Sequence, residues 1–389
     1  MNEFDGDRTV RLLASRGAAA RLSRRKFLGG AFAAGLSGVV LGGCGSSAEG
    51  SGPAGGPGDQ LNMYTWGEYN APEVLASFTS EVGPRLQVDT FASNEEMIAK
   101  LVAAAGTSGY DIVVPTGTFV PQMSQNGLLE ELDLTRIPNM ANLEDQFLDQ
   151  EWDAGNAYSV CKTWGTTGFV YDNTKIQREL TSWKDFLDAA QNEGAGATSV
   201  VDDPKEVVGI ALFAQGVDVN TTDERELAEA ERILLEQLVP HVTVFDSYPG
   251  GSAMSESSRV LIQAWNGDAR QGVLAEGDTG RWKWVLPTEG SNLWMDNWAI
   301  VKGAQHTDAA YAFIDYILQP EVSLAELAYI GYHTGVKGIQ KAAEEQGLER
   351  LDMVFFTEEQ LESRVPMTLN EAHQRIVDIM GTLKANAGA

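Results

Sequence analysis

"LNMYTWGEYNAPEVLASFTSEVGPRLQVDTFASNEEMIAKLVAAAGTSGYDIVVP" (residues 61–115) sets the fold class. It opens on LNMYTW (61–66), whose apolar and aromatic residues suit a strand. Pro72 then starts an amphipathic helix, with Val74, Leu75, Phe78 and Val82 on one side. RLQVDTF (85–91) returns to a strand. Ser93 and Glu96 form a capping box for a helix carrying Met97, Ile98, Leu101 and Val102, which Gly106 ends. YDIVVP (110–115) is a continuous β-branched run, as in a parallel-sheet strand buried on both faces. Strands alternating with helices predict an α/β fold with right-handed crossovers.

The same grammar continues downstream. TTDERELAEAERILLEQLVP (221–240) reads as a helix with its acids early, where they suit the helix dipole, and Pro240 closes it. TDAAYAFIDYIL (307–318) reads as another. LWMDNWAI (293–300) reads as a strand, so Trp294, Asp296 and Trp298 share one face. A carboxylate between two indoles is costly to bury unless something positive sits beside it.

The 389 residues carry 28 Lys plus Arg against 55 Asp plus Glu, a net charge of −27. Such a surface does not suit nucleic acid, whose phosphates need basic partners. The front end has the opposite sign. Before residue 44 seven Arg or Lys face three Asp or Glu, which leaves the rest of the chain at −31. SRRKFL (23–28) leads into the short Gly/Ala-rich run GGAFAAGLSGVVLGG, which ends at Cys44. A basic segment followed by a short apolar run is an export signal, too brief for a membrane-spanning helix. Arg24–Arg25 followed by Phe27–Leu28 resembles a twin-arginine signal, and LGGC (41–44) resembles a lipobox that would make Cys44 the lipid anchor. Residues 1–43 are therefore read as a signal peptide. The Gly/Ser/Pro-rich 44–60 is read as a flexible tether. Cys161 is the only cysteine after Cys44, so no disulfide forms within the mature chain, and it reads as a small buried hydrophobe.

Several chemistries lack their residues. The four histidines, His241, His306, His333 and His373, have no zinc-ligand spacing, and neither a metal nor a cofactor is expected. There is no G-x-x-x-x-G-K-[ST] loop and no G-x-S-x-G elbow. The enzyme reading that remains is a secreted carboxylate-pair glycoside hydrolase. Trp152, Trp164, Trp183, Trp282 and Trp284 read as packing.

An ordered set of segments carries a resemblance: YTWGEY (64–69), SNEEMIAKL (93–101), YDIVVPT (110–116), TWGTTGFVYD (163–172), TSWKDF (181–186), VDDPKEV (201–207), AWNGDA (264–269), LWMDNWAI and IGYHT (330–334). Together they resemble the spermidine/putrescine-binding proteins of bacterial ABC transporters, from about Leu61 to Gly335. The resemblance implies a two-lobed, periplasmic-binding-protein-like fold of type II, with a ligand cleft between lobes joined by crossing strands. It implies 61–165 with 295–340 in one lobe and 166–294 with 341–389 in the other. No covalent step is implied. The partners are a polyamine, an ABC permease in the membrane and the lipid on Cys44, at the outer face of the cell membrane or in the periplasm.

The resemblance also implies roles for individual residues. Asp296 grips an amine with Trp294 beside it, and Trp265 stacks on the chain from the second lobe. Asp203 and Glu206 take the other end of the ligand, while Trp66, Tyr69 and Tyr332 supply further rings. Thr116 and Thr118 lie in the loop after a parallel strand, where such folds bind ligands. Gly67 and Thr118 depart from the family's usual hydroxyl residue and tyrosine, and the family's late glutamine is not found near 362–370. Physically, carboxylates would meet the ammonium groups and rings would cover the methylenes between them. Each ring adds roughly 0.5–2 kcal/mol of cation–π attraction. Another organic cation is the alternative ligand.

Overall fold

The computed structural model describes residues 58–255, 258–277 and 279–387. The leader, Cys44 and most of the tether lie outside the described residues. Gln60, at the tether's end, already belongs to the first strand.

The opening alternation is present. β1 (Gln60–Trp66), α1 (Pro72–Val82), β2 (Arg85–Phe91), α2 (Asn94–Ala104) and β3 (Ile112–Val113) follow in order, and β1 pairs in parallel with β2 and β3. β3 is shorter than its β-branched run. Asp111 N donates to Asn62 O and Val114 N to Tyr64 O, but Pro115 has no N–H to extend the ladder. The cap of α2 also differs from expectation. Ser93 Oγ accepts from Glu96 N at 3.1 Å, whereas the Glu96 carboxylate reaches back to Ala92 N, at 3.0 Å, rather than to Ser93 N. Ala105, at φ 47°, already turns left-handed before Gly106.

β4 (Ser159–Asp172) is buried along all 14 residues. After it come β5 (Thr198–Val201), α3 (Pro204–Gln215), α4 (Glu224–Gln237), β6 (Val242–Asp246), β7 (Leu261–Trp265), α5 (Asn266–Ala275) and β8 (Trp282–Val285). β9 (Ser291–Ile300), α6 (Thr307–Ile317), α7 (Pro320–Ile330), β10 (Arg364–Pro366) and α8 (His373–Asn386) complete the framework.

The strand order is β2-β1-β3-β9-β4-β7-β5-β6, with β10 on β9 and β8 on β4. β4 and β9 run antiparallel, from Ser159 opposite Ala299 to Thr166 opposite Leu293, with an irregularity between Cys161 and Thr163. Past that point β4 pairs with β7 and β8 instead. One long strand thus leaves the first α/β lobe and enters the second, as the expected crossing strands require. Phe78, Trp298 and Phe313 belong to the core on the β1–β9 side; Phe169, Phe186, Phe213 and Leu383 belong to the core on the β4–β6 side. Trp265 packs against both. Cys161 is fully buried, and burial pushes its thiol pKa up, as a structural cysteine's should be.

Candidate functional site

Parallel strands expose their carboxyl ends to loops, and in open α/β sheets ligands lie there. Trp66 ends β1 and the loop after it supplies Tyr69, the loop after β3 supplies Thr116 and Thr118, and Asp203 and Glu206 sit at the cap and in the first turn of α3. Trp265 ends β7, while β9 itself carries Trp294 and Asp296. With Tyr332, after α7, all ten expected residues line one cleft of about 1080 Å³, counted to its open mouth.

Asp296 is 6 % exposed at the floor. Thr116 Oγ1 donates to Oδ1 at 2.7 Å and Tyr69 Oη to Oδ2 at 2.9 Å. Asn94 braces Thr116 by bonds in both directions, each 3.0 Å. Burial pushes the Asp296 pKa up to about 6, against the pull of these donors and of Lys162. Trp298 lies beyond the cleft, edge-on to Phe313 in the core, so the Trp-x-Asp-x-Trp stripe divides: two residues face the cleft and one the interior.

The second acidic station is a helix start. Asp203 Oδ1 caps α3, accepting from Lys205 N at 2.9 Å and Glu206 N at 3.0 Å. Glu206 Oε2 accepts from Asn292 Nδ2 at 2.8 Å. Its Oε1 is buried without a hydrogen bond; the Thr167 hydroxyl and Trp265 indole soften its charge but do not close a bond. Burial raises both pKa values, and each carboxylate has a like charge nearby: Glu95 by Asp203, and Asp203 by Glu206. Asp203 therefore both caps a helix and lines the cleft.

Asp268 was not among the expected residues. It sits in the first turn of α5, three residues after Trp265, and lines the same cleft. The Tyr332 hydroxyl donates to its Oδ2, and burial lifts its pKa to about 6. The signal was available: AWNGDA spaces a ring and an acid by one helical turn. Rings join the stations. Tyr332 stands edge-on to Trp294, with ring centres 5.1 Å apart, and to Tyr69, at 5.6 Å.

Seven carboxylate residues line the cleft: Glu68, Glu95, Asp202 and Asp203, Glu206, Asp268 and Asp296. The basic lining residues are Lys205 and His373. Lys205 Nζ is already engaged by Asn220 Oδ1 at 2.7 Å and Thr368 O at 2.5 Å. His373 Nε2 meets Glu95 Oε1 at 3.1 Å, linking α8 to α2 across the cleft. At the mouth Tyr248 lies over Gly67, where a Cβ would come within 2.4 Å of the Tyr248 ring. A side chain at this position would have to displace Tyr248. Nothing in the sequence signals Tyr248, which belongs to an irregular loop after β6.

The cleft can desolvate a slender, multiply cationic guest between rings, with its charges met by buried acids. The model of the bacterial extracellular solute-binding protein family matches residues 73–348. The putrescine/agmatine-binding protein of Pseudomonas aeruginosa is 32 % identical over 321 residues, 79 % of this chain and 86 % of that one. The spermidine/putrescine ABC transporter substrate-binding protein of Streptococcus pneumoniae superposes with a TM-score of 0.70 at 30 % identity, over 85 % of this chain and 100 % of that one. A Treponema pallidum lipoprotein superposes with a TM-score of 0.71 at 27 % identity, over 85 % and 99 %. The chain belongs to the bacterial extracellular solute-binding protein family.

Proposed function

We propose that this protein captures a polyamine outside the cytoplasm and presents it to an ABC permease, without any covalent step. One observation carries the reading. Asp203, Glu206, Asp268 and Asp296 line one ring-lined cleft, Glu206 and Asp296 buried and Asp203 and Asp268 half-buried, and desolvation holds all four carboxylates above their usual pKa range. Unpaired buried carboxylates are expensive, and a guest bearing several ammonium groups would relieve them together. The relatives' names, which specify putrescine, agmatine and spermidine, point the same way.

In this reading Asp296 takes one ammonium, Asp203 and Glu206 another, and Asp268 lies within reach of a third. Trp66, Tyr69, Trp265, Trp294 and Tyr332 cover the methylenes, and Thr116 and Thr118 shape the wall. The lobes divide as 61–165 with 295–340 and 166–294 with 341–389, and closure turns on β4 and β9. Such hinge closure is the usual motion of binding proteins of this architecture. Export follows the twin-arginine leader, and lipidation of Cys44 holds the protein at the outer face of the membrane. The likeness to a lipoprotein supports the anchor.

Calorimetric titration with putrescine, spermidine, spermine and a monoamine tests this. Saturable binding of a polyamine with the monoamine silent is expected; no binding by any polyamine refutes the reading.

A further inference from the structure

A second cavity, of about 770 Å³, adjoins the cleft. The two share Thr116, Thr118, Trp294 and Met367 as walls. Their chemistry is opposite. Among the described residues, seven carboxylate residues wall the cleft, whereas none with a charge lines the side chamber. Its remaining walls are mostly apolar, Phe147, Trp152, Trp164 and Met295 among them; the Gln146 and Gln150 amides and the unbonded indole N–H groups of Trp152, Trp164 and Trp294 add neutral polar atoms. Trp152 and Trp164, which pack in and against the core as expected, also border this space.

The position of the chamber matters as much as its lining. Thr116 both walls the chamber and donates to Asp296. Trp294 stands in both cavities, two residues along the same strand. An amine held at Asp296 therefore has the neutral chamber at its side. A charged group entering there would lose its hydration and find only neutral amide, hydroxyl and indole partners, while an apolar group would gain burial.

We infer that the side chamber receives an uncharged apolar substituent on the amine held at Asp296. The protein then binds mono-N-alkyl or N-aralkyl polyamines, which keep their ammonium charge, besides unsubstituted ones. This rests on the polyamine reading of the cleft and names a wider substrate class for it.

The test titrates the purified chain with spermidine, with N1-benzylspermidine of the same charge, and with N1-carboxymethylspermidine. The expected result is benzylspermidine affinity within about threefold of spermidine or tighter, and carboxymethylspermidine at least tenfold weaker, a loss of about 1.4 kcal/mol or more. Leu361→Trp and Gln150→Trp narrow the chamber without touching the cleft walls. Each should weaken benzylspermidine at least tenfold and leave spermidine within twofold; having two variants guards against one failing to fold. Benzylspermidine binding a hundredfold weaker than spermidine, or both ligands weakened alike by both variants, overturns the chamber. Spermidine failing to bind overturns the cleft reading itself, so the two failures are told apart.

Discussion

At the residue scale, Asp296 and Asp203 differ in what their oxygens already do. Both Asp296 oxygens take side-chain hydroxyl donors, whereas Asp203 Oδ1 serves the backbone of α3. Asparagine can keep that cap. Asp296→Ala should weaken polyamine binding about a hundredfold or more, in line with roughly 2–5 kcal/mol for truncating one partner of a buried charge pair. Asp203→Asn should cost about tenfold or less, since Glu206 remains beside it. Calorimetry of the two variants decides it, and equal affinities would remove Asp296 from the site. Gly67→Ser makes a separate prediction. The new Cβ collides with the Tyr248 ring, which is 41 % exposed and borders solvent into which it can be displaced. Melting temperature should move by no more than about 2 °C, while stopped-flow should show faster ligand release because the mouth no longer closes.

At the scale of elements, the crossing strand β4 hides an ion pair. Lys162 Nζ meets Glu326 Oε1 at 2.9 Å, and both side chains are 1 % exposed. Glu326 also accepts from Asn70 Nδ2 and Ala71 N, fixing the turn that carries Tyr69, and the ammonium lies 4.6 Å from the centre of the Tyr69 ring. Lys162→Met leaves Glu326 charged and partly unpaired, which should cost about 3–5 kcal/mol. The double variant Lys162→Met/Glu326→Gln should recover part of that in thermal melting. No recovery would mean that shape, not charge, is what the pair supplies. This pair also marks where the sequence stops being legible. α1, α4 and α6 could be read because their apolar spacing, prolines and early acids are local signals. Lys162, between Cys161 and Thr163, carries no local sign of burial, and only contact with Glu326, 164 positions away, makes it interior. The site divides in the same way. The ten expected residues could be read because they fall in motifs, and Asp268 had a usable spacing. Tyr248 and the side chamber arise from loops that meet only in three dimensions.

At the scale of the whole molecule, the buried acids tie binding to pH. Asp296 and Asp268 rise from an ordinary 3.8 to about 6 in the empty cleft because burial disfavours their charge. An ammonium guest binds the ionised forms, so affinity should be full above about pH 7 and fall as pH drops through 6, with protons released on binding. Calorimetry in buffers of different ionisation enthalpy measures that release. The unliganded protein should show the opposite trend. A group whose folded pKa is raised contributes stability that is present below its unfolded value and lost as pH rises through its folded one. Relative to Asp296→Asn, the wild type should therefore lose stability between about pH 4 and pH 6, and saturating polyamine should abolish that difference. Melting curves of both proteins across this range provide the check.

Cys161 offers a practical consequence. It is the only cysteine after Cys44, and it is fully buried with a thiol that resists ionisation. A single cysteine introduced at the rim, such as Thr368→Cys, could accept an environment-sensitive dye while the native thiol stays silent. Labelled this way, a protein expressed from residue 58 becomes an optical reporter whose emission should track the concentration of the amine it binds in real time.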